Sequence, residues 1–454
     1  MCARRQLPSD RSGGTIAREE TNEKKKREVP GEPFARRSMS EISQPRRGIF
    51  YGWIVVASTF VVLCVGFGVT YAFNAFFLPL QAEYGATRGE TALVFSIAGF
   101  LYFALGAVSG PLSDRWGPRP VVALGIVIAA GGLAVASQAQ TLWQIYAAYG
   151  IGVGVGVGFA YVPAIAAVQK WFVRKRGLAS GLAVSGIGAG TLILPPLAGL
   201  IVADMGWRAA YLALAIVTLA VGAVAALLLD DQPELRNVGP DGLPPQATTA
   251  ASLASGRSFG AGVAVRSRPF WLLYAACCFS GLALFVPFVH LVPYATDHGV
   301  DAQEALLLIS IIGIGSIVGR FAFGGIADRF GRKVGLALMF AGLTTMMLWW
   351  SVSTAAWALM VFAALFGAFY GGFVALIPAM TADYFGVRHV SSIIGLLYTS
   401  VAFGTLFGPA VAGYAFDLTR SYYFAILGAA AMMAVAVLFM LLAPRPQQWR
   451  DAQG

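Results

Sequence analysis

Hydrophobic residues in this chain are collected into long runs that short polar segments separate. A bilayer core about 30 Å thick is crossed by roughly 20 helical residues, at about 1.5 Å each. Twelve runs reach that length. They cover residues 52–78, 91–112, 119–138, 142–169, 177–203, 207–229, 270–295, 304–326, 333–353, 355–382, 390–416 and 421–443. The pattern predicts an all-α membrane protein with twelve transmembrane helices, numbered here as spans one to twelve.

The composition indicates the same class of protein. Hydrophobic residues make up 57% of the chain and charged residues only 12%, and a soluble fold cannot bury so much apolar surface. The 54 glycines suit helices that pack closely inside a membrane. Lipid is therefore expected to be the main solvent of the folded chain.

Polar segments divide the chain into regions. Residues 1–46 are polar and rich in charge, so we expect a disordered tail. Residues 230–268 are rich in Pro, Gly, Ser and Ala, which is typical of a flexible linker. Residues 47–229 and 269–443 then form two six-helix bundles, and residues 444–454 form a short C-terminal tail.

The distribution of basic residues predicts the orientation. If the N-terminal tail is cytoplasmic, 28 of the 32 Lys and Arg residues lie on the cytoplasmic side, and only Arg88, Arg208 and Arg420 lie outside. Basic residues concentrate on the cytoplasmic side of membrane proteins. We therefore expect a multi-pass protein of the cytoplasmic (inner) membrane with both termini and the linker inside. Topology and anionic membrane lipid explain the net charge of +10, so no nucleic-acid partner is expected.

The second half of the chain repeats the first at an offset of 214 residues, without a gap over a long stretch. The matched pairs include Pro79 and Pro293, Gly85 and Gly299, Glu90 and Glu304, Asp114 and Asp328, Arg115 and Arg329, Gly117 and Gly331, Pro195 and Pro409. Chance does not keep one offset for so long. Two parallel six-span repeats are expected to enclose a central cavity that opens to each side in turn.

One motif occurs in both repeats. Gly110–Arg119, between spans two and three, resembles the G-x-L-x-D-R-x-G-x-R/K signature of major facilitator transporters, and Gly324–Lys333 is its second copy. The resemblance implies the major facilitator fold, with two pseudo-symmetric bundles. Charged groups at such helix ends can pair in one state and release in the other, whereas the alternative is a solvated turn whose charges serve topology. The predicted gate residues are Asp114, Arg115, Arg119, Asp328, Arg329 and Arg332.

A closer resemblance is to the monocarboxylate and oxalate/formate branch of these transporters, over nearly the whole chain after residue 48. It rests on Tyr51-Gly52-Trp53 with Tyr71 to Asn74, on Trp171 to Gly181, and on His290 to Tyr294 followed by Gly319-Arg320. In that branch the position of Arg320 holds the arginine that binds the substrate anion.

Arg320 is also unusual on physical grounds. It precedes Asp328 by eight residues, or about 12 Å of helix, so it lies inside the membrane, where an arginine costs about 2.5 to 3.5 kcal/mol. Its mate in the first repeat is Gly106, so the fold shared by both repeats does not require this charge. A guanidinium binds a carboxylate through two hydrogen bonds. The alternative is a structural arginine paired with backbone carbonyls.

Other polar residues inside the spans are candidate site residues. Tyr71, Asn74, Tyr161 and Tyr370 lie where related carriers line the cavity, although each also suits helix packing. Ser316 stands where animal monocarboxylate carriers have an aspartate. His290 is the candidate for proton coupling, because imidazole titrates near neutral pH. The alternative for His290 is a polar group that is fully hydrogen-bonded near the outer interface.

Together these features predict a secondary transporter of small monocarboxylates, such as lactate and pyruvate, with proton coupling. The alternatives are exchange of another organic anion and export of hydrophobic compounds on the same fold. The glycines from Gly150 to Gly158 lack the strand and loop of a dinucleotide site, and the chain shows no nucleophile elbow or metal-ligand cluster. We therefore expect a monomeric protein that is not an enzyme and needs no cofactor or metal, with the carboxylate, protons and lipid as its partners.

Overall fold

The computed structural model describes residues 50–172, 176–230, 238, 241, 259–386, 390–446 and 449. Within these ranges it leaves out the side chains of residues 114, 176, 177, 324–330, 390 and 391. The predicted N-terminal tail, most of the linker and most of the C-terminal tail therefore lie outside the described residues.

All regular structure among the described residues is helical. Eleven of the described helices are long and apolar enough to cross a membrane. The helix Arg176–Leu228 contains a non-helical residue, Gly206, with φ 81° and ψ 166°, and it therefore supplies both span five and span six. The described residues thus supply twelve membrane-spanning segments, and the predicted all-α fold of twelve transmembrane helices is confirmed.

The helices of the first half are Tyr51–Tyr71 and Phe73–Tyr84 (span one), Arg88–Ala104 and Gly106–Trp116 (span two), Pro118–Ala136 (span three), Leu142–Ile145, a π-helix Tyr146–Val153 and Gly154–Trp171 (span four), and Arg176–Leu228 (spans five and six). After the short helix Ala261–Val265, at the end of the predicted linker, those of the second half are Arg268–Leu284 and Pro287–Asp297 (span seven), Ala302–Phe330 (span eight), Arg332–Ser351 (span nine), Ala356–Phe385 (span ten), Val390–Thr419 (span eleven) and Tyr423–Leu442 (span twelve).

Backbone geometry repeats at the same offset of 214 residues. Eight described residues have a positive φ angle, a conformation that favours glycine because it lacks a Cβ, and six of them form three matched pairs. These are Gly85 and Gly299 (60° and 85°), Gly117 and Gly331 (81° and 90°), and Gly206 and Arg420 (81° and 55°). We call the end of the bundle with the turns at Gly85 and Gly299 the Gly85 end, and the opposite end, with the turns at Gly117 and Gly331, the Gly117 end.

Spans one and seven are broken at equivalent positions. The second helix of span one is preceded by Ala72 and that of span seven by Val286, which are again 214 residues apart. The Asn74 side-chain Nδ2 donates to the carbonyl oxygen of Phe288, its own repeat mate, at 2.6 Å. Residues related by a two-fold repeat touch only near the axis that relates the halves. The seam between the halves therefore runs beside these two breaks.

The halves also meet along spans two and eleven and along spans five and eight. Glycine lets the backbones approach closely at both seams. A Cβ on Gly413 of span eleven would lie 2.7 Å from the Cα of Gly89 in span two. A Cβ on Gly313 of span eight would lie 2.7 Å from the carbonyl oxygen of Gly188 in span five.

The glycines of span four serve packing within the first half. A Cβ on Gly156 would lie 2.5 Å from the backbone nitrogen of Ala129 and 2.6 Å from the carbonyl oxygen of Gly125, both in span three. Gly131, also in span three, has no atom within 4 Å of a built Cβ. Close packing of spans three and four therefore requires glycine at position 156 but not at position 131.

Replacing Gly156 by Ala is expected to lower the stability of the protein by about 1 to 3 kcal/mol, because the added methyl group overlaps the backbone of span three. The matched change Gly131→Ala should be neutral or should stabilise by up to about 1 kcal/mol, because Ala has the higher helix propensity. Thermal unfolding in detergent measures both. Equal effects of the two changes would contradict this account of span four.

Candidate functional site

Arg320 lies within span eight with only 5% of its surface exposed. Its Nη1 donates to the carbonyl oxygen of Val184, in span five of the other half, at 2.5 Å. Its Nε and Nη2 have no hydrogen-bond partner. A buried donor without a partner costs free energy, so this guanidinium is only partly satisfied by the protein.

Tyrosine hydroxyls surround Arg320. Those of Tyr370, Tyr161, Tyr71 and Tyr398 lie within electrostatic range of the guanidinium. The hydroxyls of Tyr71 and Tyr370 are 3.1 Å apart and join the two halves. The rings of Tyr161 and Tyr398 stack across the same seam, with centroids 6.3 Å apart and planes 12° apart. The structure thus brings the predicted residues Tyr71, Tyr161 and Tyr370 together around Arg320.

A small cavity of about 20 Å³ lies among these rings. Seven of its twelve lining residues are aromatic and the other five are aliphatic. They are Phe67, Phe103, Tyr161, Phe285, Tyr370, Phe373 and Tyr398, with Ile187, Leu284, Val374, Ile377 and Val401. The only side-chain polar groups on this wall are the three tyrosine hydroxyls.

Two other predicted residues have different environments. Ser316 lies one helical turn before Arg320, on the same face of span eight, and its buried Oγ has no hydrogen-bond partner. Asn74 uses its amide nitrogen at the seam, where it donates to the carbonyl oxygens of Phe288 and Tyr71. Asn74 is therefore a seam residue. Like Arg320, Tyr71 and Ser316, it is not among the residues that line the small cavity.

His290 is fully buried but is not part of this tyrosine cluster. Its Nε2 is 2.8 Å from the carbonyl oxygen of Pro409, and its Nδ1 is 3.1 Å from the hydroxyl of Tyr422. A carbonyl only accepts, so Nε2 carries the hydrogen. A neutral imidazole then accepts a hydrogen bond from Tyr422 at Nδ1.

Tyr422 connects His290 to a partly buried ion pair at the Gly85 end. Arg88, at the start of span two, forms two hydrogen bonds of 2.6 Å with the carboxylate of Asp297 in span seven. Arg88 Nη1 also donates to the hydroxyl of Tyr422 at 2.8 Å. Its guanidinium carbon lies 4.1 Å from the ring centroid of Phe416, which is a cation–π contact. One arginine of the first half is therefore enclosed by the second half.

Asp417 strengthens the same junction. Its carboxylate oxygens accept hydrogen bonds from the backbone N–H groups of Arg88 at 3.0 Å and Gly89 at 2.9 Å. These N–H groups begin the helix of span two, where negative charge is favourable. We call Arg88, Asp297, Asp417, Tyr422 and His290 the latch.

Sequence reasoning did not identify the latch, although a signal was present. The repeat mate of Arg88 is Ala302, so the comparison that singled out Arg320 also marks Arg88 as a charge that the repeated fold does not need. A charge without a charged repeat mate does not always mark a contact between the halves, as Arg208 shows. Its mate is Tyr422, yet it pairs with Glu83 of its own half at 2.6 Å.

The predicted gate residues show contacts within their own halves. Arg119 Nε donates to the carbonyl oxygen of Leu229, at the end of span six, at 3.1 Å. Arg332 Nη1 donates to a carboxylate oxygen of Asp383, in span ten, at 2.5 Å. Arg115 is exposed. The side chains of Asp114, Asp328 and Arg329 lie outside the described residues, so the gating role of these six residues stays a prediction.

No metal or cofactor site emerges from the described part of the chain. It holds no group of three or more His, Cys, Asp or Glu side chains placed to bind a metal ion. Cys64, Cys277 and Cys278 are free thiols.

Comparison with known proteins identifies the family. The Major Facilitator Superfamily model matches residues 58–354 and 291–454. The chain is similar to monocarboxylate transporter 12-B of Danio rerio, with 32% identity over 86% of each chain. It is also similar to human monocarboxylate transporter 12, with 30% identity over 88% of this chain and 82% of the relative. Monocarboxylate transporter 13 of Rattus norvegicus is 29% identical over 86% of this chain and 89% of its own. The chain therefore belongs to the Major Facilitator Superfamily, among the monocarboxylate transporters, and is a membrane transporter and not an enzyme.

Proposed function

We propose that this protein moves small monocarboxylates, such as lactate and pyruvate, across the cytoplasmic membrane by alternating access. The names of its relatives support the substrate class, and the environment of Arg320 supports it independently. In this proposal the Gly117 end faces the cytoplasm, because the basic residues of the chain concentrate there.

The free edge of the Arg320 guanidinium is the observation that carries the proposal. Nε and Nη2, the two nitrogens without partners, lie on the same edge of the planar group, and their N–H bonds run parallel. That edge matches the two oxygens of one carboxylate. Nη1 is already held by Val184, which fixes the plane of the guanidinium. The protein thus orients the arginine and leaves its bidentate edge for a single anionic group.

Alternating access requires contacts between the halves to break and form again. Arg320 with Val184 and Tyr71 with Tyr370 both join the first half to the second. A substrate held between them touches both halves, so its binding can favour a change in their relative position. The latch closes the Gly85 end in this structure and must release when that end opens.

Replacing Arg320 by Gln is expected to raise the KM for lactate and pyruvate by about 10- to 100-fold, because charge-assisted hydrogen bonds contribute about 1.5 to 3 kcal/mol. Arg320→Lys should give an intermediate KM, since an ammonium keeps the charge but lacks the planar edge. Uptake of labelled acid into proteoliposomes measures both variants.

The matched control is Arg208→Gln, which removes an exposed arginine paired within one half and should leave the KM unchanged. Unaltered carboxylate uptake by the folded Arg320→Gln protein would contradict the proposal. Export of hydrophobic compounds that survives Arg320→Gln, without carboxylate uptake by the wild type, would favour that alternative function.

Replacing Asp297 by Asn is expected to shift the protein toward a state open at the Gly85 end. Arg88 is buried but Asp297 is one third exposed, so removing the acidic partner costs the closed state about 1 to 2 kcal/mol, which is roughly a 5- to 30-fold change in population. Spin labels on cysteines placed at the exposed residues Gln140 and Ala302, after replacement of the four native cysteines, measure the separation of the halves at that end. A longer-distance population should grow in Asp297→Asn.

Glu83→Gln is the control for the latch experiment. It breaks the pair with Arg208, which lies at the same end but inside the first half, so the spin-label distances should not change. Identical distance distributions in Asp297→Asn and the wild type would show that the latch does not hold this end closed.

Proton coupling in this proposal runs through His290 and the latch. A protonated imidazole has two donors and no acceptor, so it cannot accept from Tyr422, and it adds positive charge beside Arg88. Asp297 and Asp417 are the acidic groups of the latch, and both are already engaged by Arg88 and its backbone. The closed latch therefore requires neutral His290, and acid on the Gly85 side should favour opening.

Lowering the pH from about 7 to about 5, where histidine titrates, should increase the longer-distance population in the wild type but not in His290→Gln. Glutamine can still donate and accept but does not titrate. His298→Gln is the control, because His298 bonds only to the carbonyl oxygen of Tyr294 at the same end and should keep the acid response. An acid response that persists in His290→Gln would rule out His290 as the proton-sensing group.

A further inference from the structure

The wall beside Arg320 is chemically specific. Among the residues that line the cavity there is no carboxylate, no amide and no cation. Arg320 is not one of them, but three of them, Tyr161, Tyr370 and Tyr398, lie within electrostatic range of its guanidinium. Seven aromatic rings form most of the surface, and Phe103 contacts three of the others. Its ring centroid is 5.8 Å from that of Phe285, 5.7 Å from that of Tyr398 and 6.4 Å from that of Tyr161. At about 20 Å³ the space holds about one water molecule, so a larger bound molecule must part these rings, and its body then contacts their faces and edges.

An acid with a small body uses little of this wall. The carboxylate of lactate or pyruvate engages the arginine, but one methyl group covers only a small part of the aromatic surface. A flat ring attached to the same head group buries much more apolar area, at about 25 cal/mol per Å². Ring-to-ring contacts with Phe103 and its neighbours add about 0.5 to 1.5 kcal/mol for each good pair.

An ammonium group next to the carboxylate finds no anionic partner. It would carry its positive charge into the surroundings of Arg320, and no lining residue supplies a carboxylate to offset that charge. A cation–π contact with a ring face contributes about 0.5 to 2 kcal/mol, which is less than the cost of burying an unpaired charge beside another cation. The wall therefore discriminates against α-amino acids even when their side chains are aromatic.

We propose that this site prefers monocarboxylates with an aryl or similarly broad, flat apolar body and without an ammonium group. The proposal rests on the proposed function, because it assigns the rest of the substrate once Arg320 holds the carboxylate. In it, Phe103 is a specificity-determining residue, and the tyrosine hydroxyls of the wall hydrogen-bond the oxo or hydroxyl group of the acid.

Three related probes separate the two parts of the proposal. Pyruvate and phenylpyruvate share the head group and differ by a ring, whereas phenylpyruvate and phenylalanine share the ring and differ in the ammonium group. In proteoliposomes containing the full chain, the KM for phenylpyruvate should be about tenfold lower than that for pyruvate. Phenylalanine should neither enter nor compete with phenylpyruvate.

The matched variants are Phe103→Leu and Phe100→Leu. Both positions are in span two, and each ring packs against a ring of span eleven at 5.7 Å, Phe103 against Tyr398 and Phe100 against Phe403. Only Phe103 lines the cavity. Phe103→Leu should reduce the ratio of phenylpyruvate to pyruvate uptake at least fivefold, and Phe100→Leu should leave that ratio unchanged.

The outcomes distinguish this proposal from the proposed function. Arg320-dependent pyruvate uptake with no advantage for phenylpyruvate would overturn the aryl preference and keep the monocarboxylate function. Competition by phenylalanine as strong as that by phenylpyruvate would overturn the discrimination against ammonium. If the folded protein transports none of the acids tested, both proposals fail. An equal loss of the uptake ratio in Phe100→Leu and Phe103→Leu would refute the assignment of Phe103.

Discussion

The structure depends on the cost of placing an arginine inside an apolar bundle. Both half-bundles are built from residues that lipid and close helix packing demand, and a guanidinium in their midst must be compensated. Val184 satisfies one nitrogen of Arg320, and the other two remain unpaired. Neutral groups such as the Tyr102 hydroxyl and Trp350 Nε1 also lack partners, but an unpaired buried cation costs far more free energy than an unpaired neutral group, so the deficit at Arg320 is the strongest physical sign of a ligand.

Two buried arginines break the symmetry of the repeat, and the contrast between them is informative. Arg88 has both terminal nitrogens engaged by Asp297 and lies beside the neighbouring rings of Phe416 and Tyr422. Arg320 has its bidentate edge free. The same chemical group thus holds a closed junction between the halves in one place and, in the proposed function, binds the substrate anion in the other. The number of hydrogen-bond acceptors that the folded protein places around each arginine accounts for the difference.

The separation of His290 from Arg320 changes how proton coupling is understood. A histidine beside the substrate would exchange its proton with the carboxylate directly. In the proposed function, the protonation state of His290 acts on the closure of the Gly85 end, and substrate binding and proton binding would communicate through the relative position of the halves. Such coupling needs no acidic residue next to Arg320, in keeping with the serine at position 316.

The sequence by itself determined the spans and the repeat, because lipid imposes long apolar runs. It also singled out Arg320, because a charge inside such a run is conspicuous. The offset of 214 residues even anticipates which turns share a backbone conformation. Only the tertiary structure decided which distant residues meet. Arg88 and Asp297 are 209 positions apart, and Tyr398 joins Tyr161 across the seam. His290 lies in the latch and Asn74 at the seam because of where spans seven and one break, and no local pattern in span one signals its break. Such contacts depend on how two bundles pack, and packing is a property of the folded chain as a whole.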